Sequence, residues 1–183
     1  MAVAGRNVND ASSLLQTADG AFGEMTDILQ RMKDLATQSA NGTNSDDDRK
    51  AMQAEYDELG KELGNIMENT SYAGEKLFGK DGITGKFGTA VSFQIGATAA
   101  ETLTLDVTAQ TSGLGATLSG LSSNYATSGT PGTVISSSGA ANAQIDVLSS
   151  ALNDIGELRG PSSQATIRDD GPCRSRSTAT RSL

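Results

Sequence analysis

The stretch Val8–Ala36, VNDASSLLQTADGAFGEMTDILQRMKDLA, decides the fold. Val8, Ala11, Leu15, Ala18, Phe22, Met25, Leu29, Met32 and Ala36 recur at alternating spacings of three and four, a heptad stripe kept up for about four repeats. Leu14, Ala21, Ile28 and Leu35 form a further column beside it. Two columns would suit a two-stranded coil, and the third implies packing against more than one neighbour. No Pro interrupts the run, and Gly20 and Gly23 are its weak points. The pattern predicts a helix from Ala4 to Ser39, roughly 50 Å long at the standard rise per residue, and therefore a rod-like molecule.

Reading towards the C-terminus, the pair Asn41-Gly42 ends this helix. Ser45 is then an N-cap, with Asp46, Asp47 and Asp48 in the following turn, where negative charge favours the helix dipole. Met52, Tyr56, Leu59, Leu63, Ile66 and Thr70 make a second stripe. The short connection requires the two helices to pack antiparallel.

From Tyr72 the chain changes character. Gly74, Gly79, Gly82, Gly85 and Gly88 punctuate a loop-rich stretch. Val91, Phe93 and Ile95, then Leu103, Leu105 and Val107, alternate with polar residues and predict two short strands turned into a hairpin by Gly96–Glu101. Residues 108–138 are rich in Ser, Thr and Gly and poor in charge, which predicts loop, a weak strand pair or a site of decoration. Ile145, Leu148, Leu152 and Ile155 restore helical spacing and predict a third helix over 140–159, ended by Gly160-Pro161. The remainder has no periodicity and carries four Arg against Asp169 and Asp170, a charge of +2 that leaves −10 for the first 159 residues. It is expected to be disordered or poorly packed. The fold class expected is mainly α with a small β part: an elongated antiparallel three-helix rod with a β-hairpin region. Its parts are 1–107 (rod helices and hairpin), 108–139 (variable segment), 140–159 (returning helix of the same rod) and 160–183 (anomalous tail).

Composition narrows the function. The 183 residues allow one domain, or one domain with a small appendage. They contain no His, which excludes Ser-His-Asp and Cys-His catalysis and any His-ligated metal. One Cys excludes an internal disulfide and multi-Cys metal clusters. The net charge of −8 argues against a nucleic-acid partner. No apolar run reaches the ~18 residues of a spanning helix, so no membrane insertion is expected, and Met1–Gly5 does not begin a signal peptide. The expectation is a structural or binding protein, with no enzyme activity, cofactor, catalytic residue or metal site.

Arg31, Leu35 and Gln38 are spaced by four and three and share one helix face, and the antiparallel partner helix is expected to bring Glu55 near them. The alternative is that Arg31 and Gln38 are merely solvated and Leu35 extends the seam. Asp46-Asp47-Asp48 lacks the Gly and Glu that an EF-hand loop needs, so a dipole role is favoured over a cation site. Glu55, Glu58 and Glu62, among Asp57 and Lys61, read as a solvated face. Asn41-Gly42-Thr43 and Asn69-Thr70-Ser71 fit the N-glycosylation pattern only formally. Cys173, in the tail, reads as a free thiol without function. Gly96 and Gly120 are isolated and form no phosphate loop.

Several ordered strings carry a family resemblance. Leu14-Leu15-Gln16-Thr17-Ala18-Asp19-Gly20-Ala21, the run Leu29–Ser45, Asn69–Phe78, Phe93-Gln94-Ile95-Gly96 and Ile145–Arg159 together resemble bacterial flagellin. The resemblance covers 4–107 and 140–159. It implies the flagellin rod domain, usually called D1, of a compact and possibly lateral-type flagellin. It further implies a secreted structural subunit of the extracellular flagellar filament, acting in motility through coiled-coil-like packing against other flagellin subunits. Arg31, Lys33, Leu35, Gln38 and Glu55 then match the patch that contacts neighbouring subunits and the flagellin-recognising Toll-like receptor of innate immune recognition. An export chaperone is a further implied partner, and the Ser/Thr stretch a place for O-linked sugars. Flagellins begin and end with terminal polymerisation segments. Measured against them the chain reads as a rod fragment lacking both, with a tail that resembles a change of reading frame or a non-native extension, and it is not expected to build a normal filament. Alternatives are a hook-associated junction protein and a flagellin-like surface module that binds a ligand through its hairpin.

Overall fold

A computed structural model describes residues 2–96, 98–99, 101–125 and 132–167. Helix α1 spans Ala2–Ala40, about 58 Å of helix, and α2 spans Asp46–Asn69. Two minute strands follow, β1 (Ser71–Tyr72) and β2 (Glu75–Lys76), then a 3-10 turn at Lys86–Gly88. Strands β3 (Val91–Gln94) and β4 (Thr102–Leu105) precede α3 (Thr108–Leu121) and α4 (Ser138–Ile167). The long helix α1 is the spine. It packs most extensively along α4 and next along α2, while α3 lies on α4 and β3 on α1.

The stripe is buried as its spacing requires. Ala11, Leu15, Ala18, Phe22, Met25, Leu29, Met32 and Ala36 are all in the core, as are Leu14, Ala21 and Leu35 of the neighbouring column. In α2 the core residues are Met52, Tyr56, Leu63 and Met67. Each large side chain of this kind contributes about 1.5–3 kcal/mol when fully withdrawn from water, before entropy is subtracted. Phe78 stacks at 5.1 Å on Phe22 and at 5.5 Å on Phe87, tying the glycine-rich stretch to the spine.

The predicted hairpin forms, with Val91 opposite Leu105 and Phe93 opposite Leu103. Its apolar side chains turn inwards, and Ser92 and Thr104 meet across the exposed face at 3.1 Å. A second antiparallel pair, β1–β2, was not expected. Its turn places Ala73 at φ 52° and Gly74 at φ 84°, the left-handed pair that a two-residue hairpin demands.

Two expectations are corrected. Residues 108–121, read as loop or weak strand, form α3. Its glycines lower intrinsic helicity, but Thr111, Leu114, Leu118 and Leu121 sit at helical spacing and are buried, so packing overrides propensity. Helix α4 does not stop at Gly160-Pro161 but continues to Ile167. Proline deletes a single backbone hydrogen bond, and the flanking turns keep theirs. Cys173 and the rest of 168–183 lie outside the described residues, as do 126–131 of the Ser/Thr-rich segment.

Candidate functional site

The α1–α2 turn is where side chains of both helices converge. Ser45 caps α2 and accepts from the Asp48 N–H at 3.2 Å, while Asp48 accepts from the Ser45 N–H at 3.0 Å, a reciprocal capping box. The Ser45 hydroxyl and backbone N–H, helped by the charge of Arg49, hold the Asp48 carboxyl below its usual range. Asp47 pairs with Lys50 at 3.0 Å and Asp46 faces Arg49 at 3.8 Å. The acidic triplet therefore caps and pairs. Among the described residues no group of three or more His, Cys, Asp or Glu is placed to hold a metal ion.

Arg49 is the organising residue of this turn. It is buried, and its guanidinium donates to the carbonyls of Ser39 (3.1 Å), Asn44 (2.8 Å) and Asn41 (3.0 Å). One cation thereby satisfies acceptors at the end of α1, where the helix dipole favours positive charge. Sequence reasoning missed it. The available signal was its position three residues before Met52, which extends the buried stripe of α2 by one step.

On the outer face, Arg31 Nη2 and Nε donate to Glu55 Oε1 at 2.6 and 2.8 Å. The antiparallel helices thus bring Arg31 and Glu55 together, and both stay about half exposed. Gln38 is exposed and Lys33 half-buried on neighbouring turns. Leu35 departs from the expectation. It is 2% exposed and belongs to the core, so it offers no apolar anchor on the patch. The reason is the second apolar column, which turns Leu35 inwards with Leu14 and Ala21.

Asp57 was expected on the same solvated face as Glu55, Glu58, Lys61 and Glu62, and the structure instead places it on the covered side of α2. Asp57 is buried, accepting from Gln53 Nε2 at 2.9 Å and from the Gly132 N–H at 2.7 Å, while the Ile135 N–H donates to Gln53 Oε1 at 2.8 Å. Gln144 donates to the Tyr56 hydroxyl at 2.9 Å, and burial drives the Tyr56 phenol well above its ordinary range. Glu55, Glu58 and Glu62 are exposed as expected. Gly60 and Gly64 make room for the covering segment: a methyl at Gly64 would stand 2.5 Å from the Tyr125 carbonyl oxygen. A shallow groove of about 250 Å³ between α3 and α4 is lined by Ala109, Gln110, Gly113, Asp154 and Glu157. Among the described residues no helix is long and apolar enough to cross a membrane.

A stiff helical spine, a hairpin and outward polar faces are therefore the features to compare with known proteins. The family model for the bacterial flagellin N-terminal helical region matches residues 1–82. Flagellin A of Vibrio anguillarum is 52% identical over 106 residues, which are 58% of this chain and 26% of the relative. Flagellin A of Vibrio cholerae is 51% identical over the same length. The chain thus aligns with about a quarter of the length of these curated relatives. The crystal structure of Bacillus cereus flagellin superposes with a TM-score of 0.68 at 29% identity, covering 90% of this chain and 85% of that one. The helical match at the N-terminal side and the near-complete structural match converge on one likeness: in sequence over its first helices, and in fold over most of its length, the chain is similar to bacterial flagellins.

Proposed function

We propose that the chain acts as a structural subunit of the extracellular bacterial flagellar filament, with other flagellin subunits as its partners. The observation that carries this reading is the build of α1. Its buried stripe is clamped by α2 and α4, while Gln16, Glu24, Asp27, Gln30 and Asp34 run along its outer side in solvent. A long braced helix with a polar outer face can share many weak lateral contacts with its neighbours. The role is mechanical and has no chemical step. To test it, the purified chain is added to filament seeds and flagellin monomer from a related Vibrio. Incorporation into filaments or arrest of their growth, seen by electron microscopy and co-sedimentation, is the expected result. Unchanged filament lengths with no co-sedimenting chain would refute the reading.

The finer proposal is that Arg31, Gln38 and Glu55, with Lys33 beside them, are the patch met by neighbouring subunits and by the flagellin-recognising Toll-like receptor. The Arg31–Glu55 bridge supports it, because it locks two exposed side chains of different helices into one orientation. The core residue Leu35 is left out of this surface. Receptor-reporter titration of Arg31→Ala, which keeps the core, is expected to weaken signalling. An unaltered titration curve removes the patch from consideration.

A further inference from the structure

The turn between α1 and α2 contains Asn41 followed by Gly42, and four features of it bear on one reaction. Both residues are exposed, and a side chain added at Gly42 would meet open space. The Asn41 side-chain oxygen accepts from the Thr43 N–H at 3.2 Å, which folds that side chain back over the Asn41–Gly42 peptide. Among the described residues no acceptor engages the Gly42 N–H. Finally, the carbonyl oxygen of this same peptide receives Arg49 Nη2 at 3.0 Å and the Asn44 N–H at 3.3 Å.

We propose that Asn41 is a site of spontaneous intramolecular deamidation, built by the α1–α2 turn and activated by Arg49. Solvent base removes the Gly42 amide proton, and the resulting negative charge is shared between that nitrogen and the Asn41 carbonyl oxygen. A guanidinium and an N–H already aimed at that oxygen stabilise the charge where it develops. The nitrogen then bonds to Asn41 Cγ, and the Cγ–Nδ2 bond breaks. Ammonia leaves with a proton from water, and a five-membered succinimide remains. Water opens the ring at either carbonyl, giving aspartate or, with the chain rerouted through Cγ, isoaspartate. Nothing is oxidised or reduced. The product places a new carboxylate beside Arg49, and the isoaspartate form also lengthens the backbone by one methylene at the point where Arg49 holds the end of α1.

The test ages the intact chain at neutral pH. Trypsin then releases Asp34–Arg49, mass spectrometry counts conversion of amide to acid, and isoaspartyl methyltransferase labels the rerouted form. Asn65 and Asn153, exposed on helices, serve as internal references. Asn41 is expected to convert at least about tenfold faster than either, a ratio equivalent to about 1.4 kcal/mol. Gly42→Ala, which meets no neighbour and so keeps the fold, is expected to slow conversion strongly. Arg49→Lys separates activation from sequence and is expected to slow it several-fold. Since Arg49 also supports the turn, the wild-type chain is compared with itself in urea. Faster conversion in the folded chain supports the site. A folded rate equal to or below the urea rate overturns it, as does a rate in folded Arg49→Lys equal to the wild type.

Discussion

The two sides of α2 carry similar letters and do opposite things. One side presents Glu55, Glu58 and Glu62 to solvent, with Glu55 bridged to Arg31 and Glu58 to Lys61. The other buries Gln53 and Asp57 beneath the segment that returns from α3 to α4. Asp57 and Glu58 are chain neighbours, yet one is a 5%-exposed acceptor of backbone and side-chain hydrogen bonds and the other is open to water. A charge in a helix thus says little about its own exposure. What marks the covered side is the pair Gly60 and Gly64, which leaves room for the Ser122 side chain at the first and the Tyr125 backbone carbonyl at the second.

The largest effect is expected where both sides share a core. Leu63→Asp places a carboxylate at a fully buried position and is expected to cost more than about 4 kcal/mol, unfolding the chain in a circular-dichroism melt. Separating the two sides comes next. Asp57→Ala leaves the Gly132 N–H unpaired and is expected to cost about 3 kcal/mol, whereas Glu58→Ala stays within about 0.5 kcal/mol. Equal melting points for these two variants would erase the distinction. Gly64→Ala pushes against the Tyr125 carbonyl and is expected to cost about 2 kcal/mol, while the fold of α1 persists.

A smaller effect is set by pH. Thr84 and the Ile83 and Thr84 N–H groups donate to Asp81, holding its carboxyl at about 2 against an ordinary 3.8. The folded value is the depressed one, so this contribution is complete above pH 3.8 and is lost as pH falls towards about 2. Thr84→Val removes the first of these donors and is expected to flatten the acid limb of stability, read by urea melts across that window. The smallest shift belongs to the open side: Arg31→Ala breaks an exposed pair and is expected to lower stability by less than about 1 kcal/mol.

Much of the rod was legible beforehand because burial on a helix leaves a periodic trace. The stripe from Ala11 to Ala36, the stop at Asn41-Gly42 and the Ser45 cap are local rules, each readable within a few residues. The β3–β4 hairpin was readable for the same reason, through its period of two. Helix α3 was not, since Thr, Ser and Gly become helical there only through burial against α4 and the 3-10 turn. Leu35 could be read two ways, as a member of the second apolar column or as part of the face it shares with Arg31 and Gln38, and only packing places it in the core.

The order of apolar letters was enough for three striped helices and one hairpin, because a stripe must find cover whatever provides it. Which partner covers each polar residue is a different matter. Arg49 reaches back ten residues to Ser39, and Asp57 receives an N–H from seventy-five residues away. Those partners are chosen by the path of the backbone in space, and no local spacing encodes a distance that only folding closes.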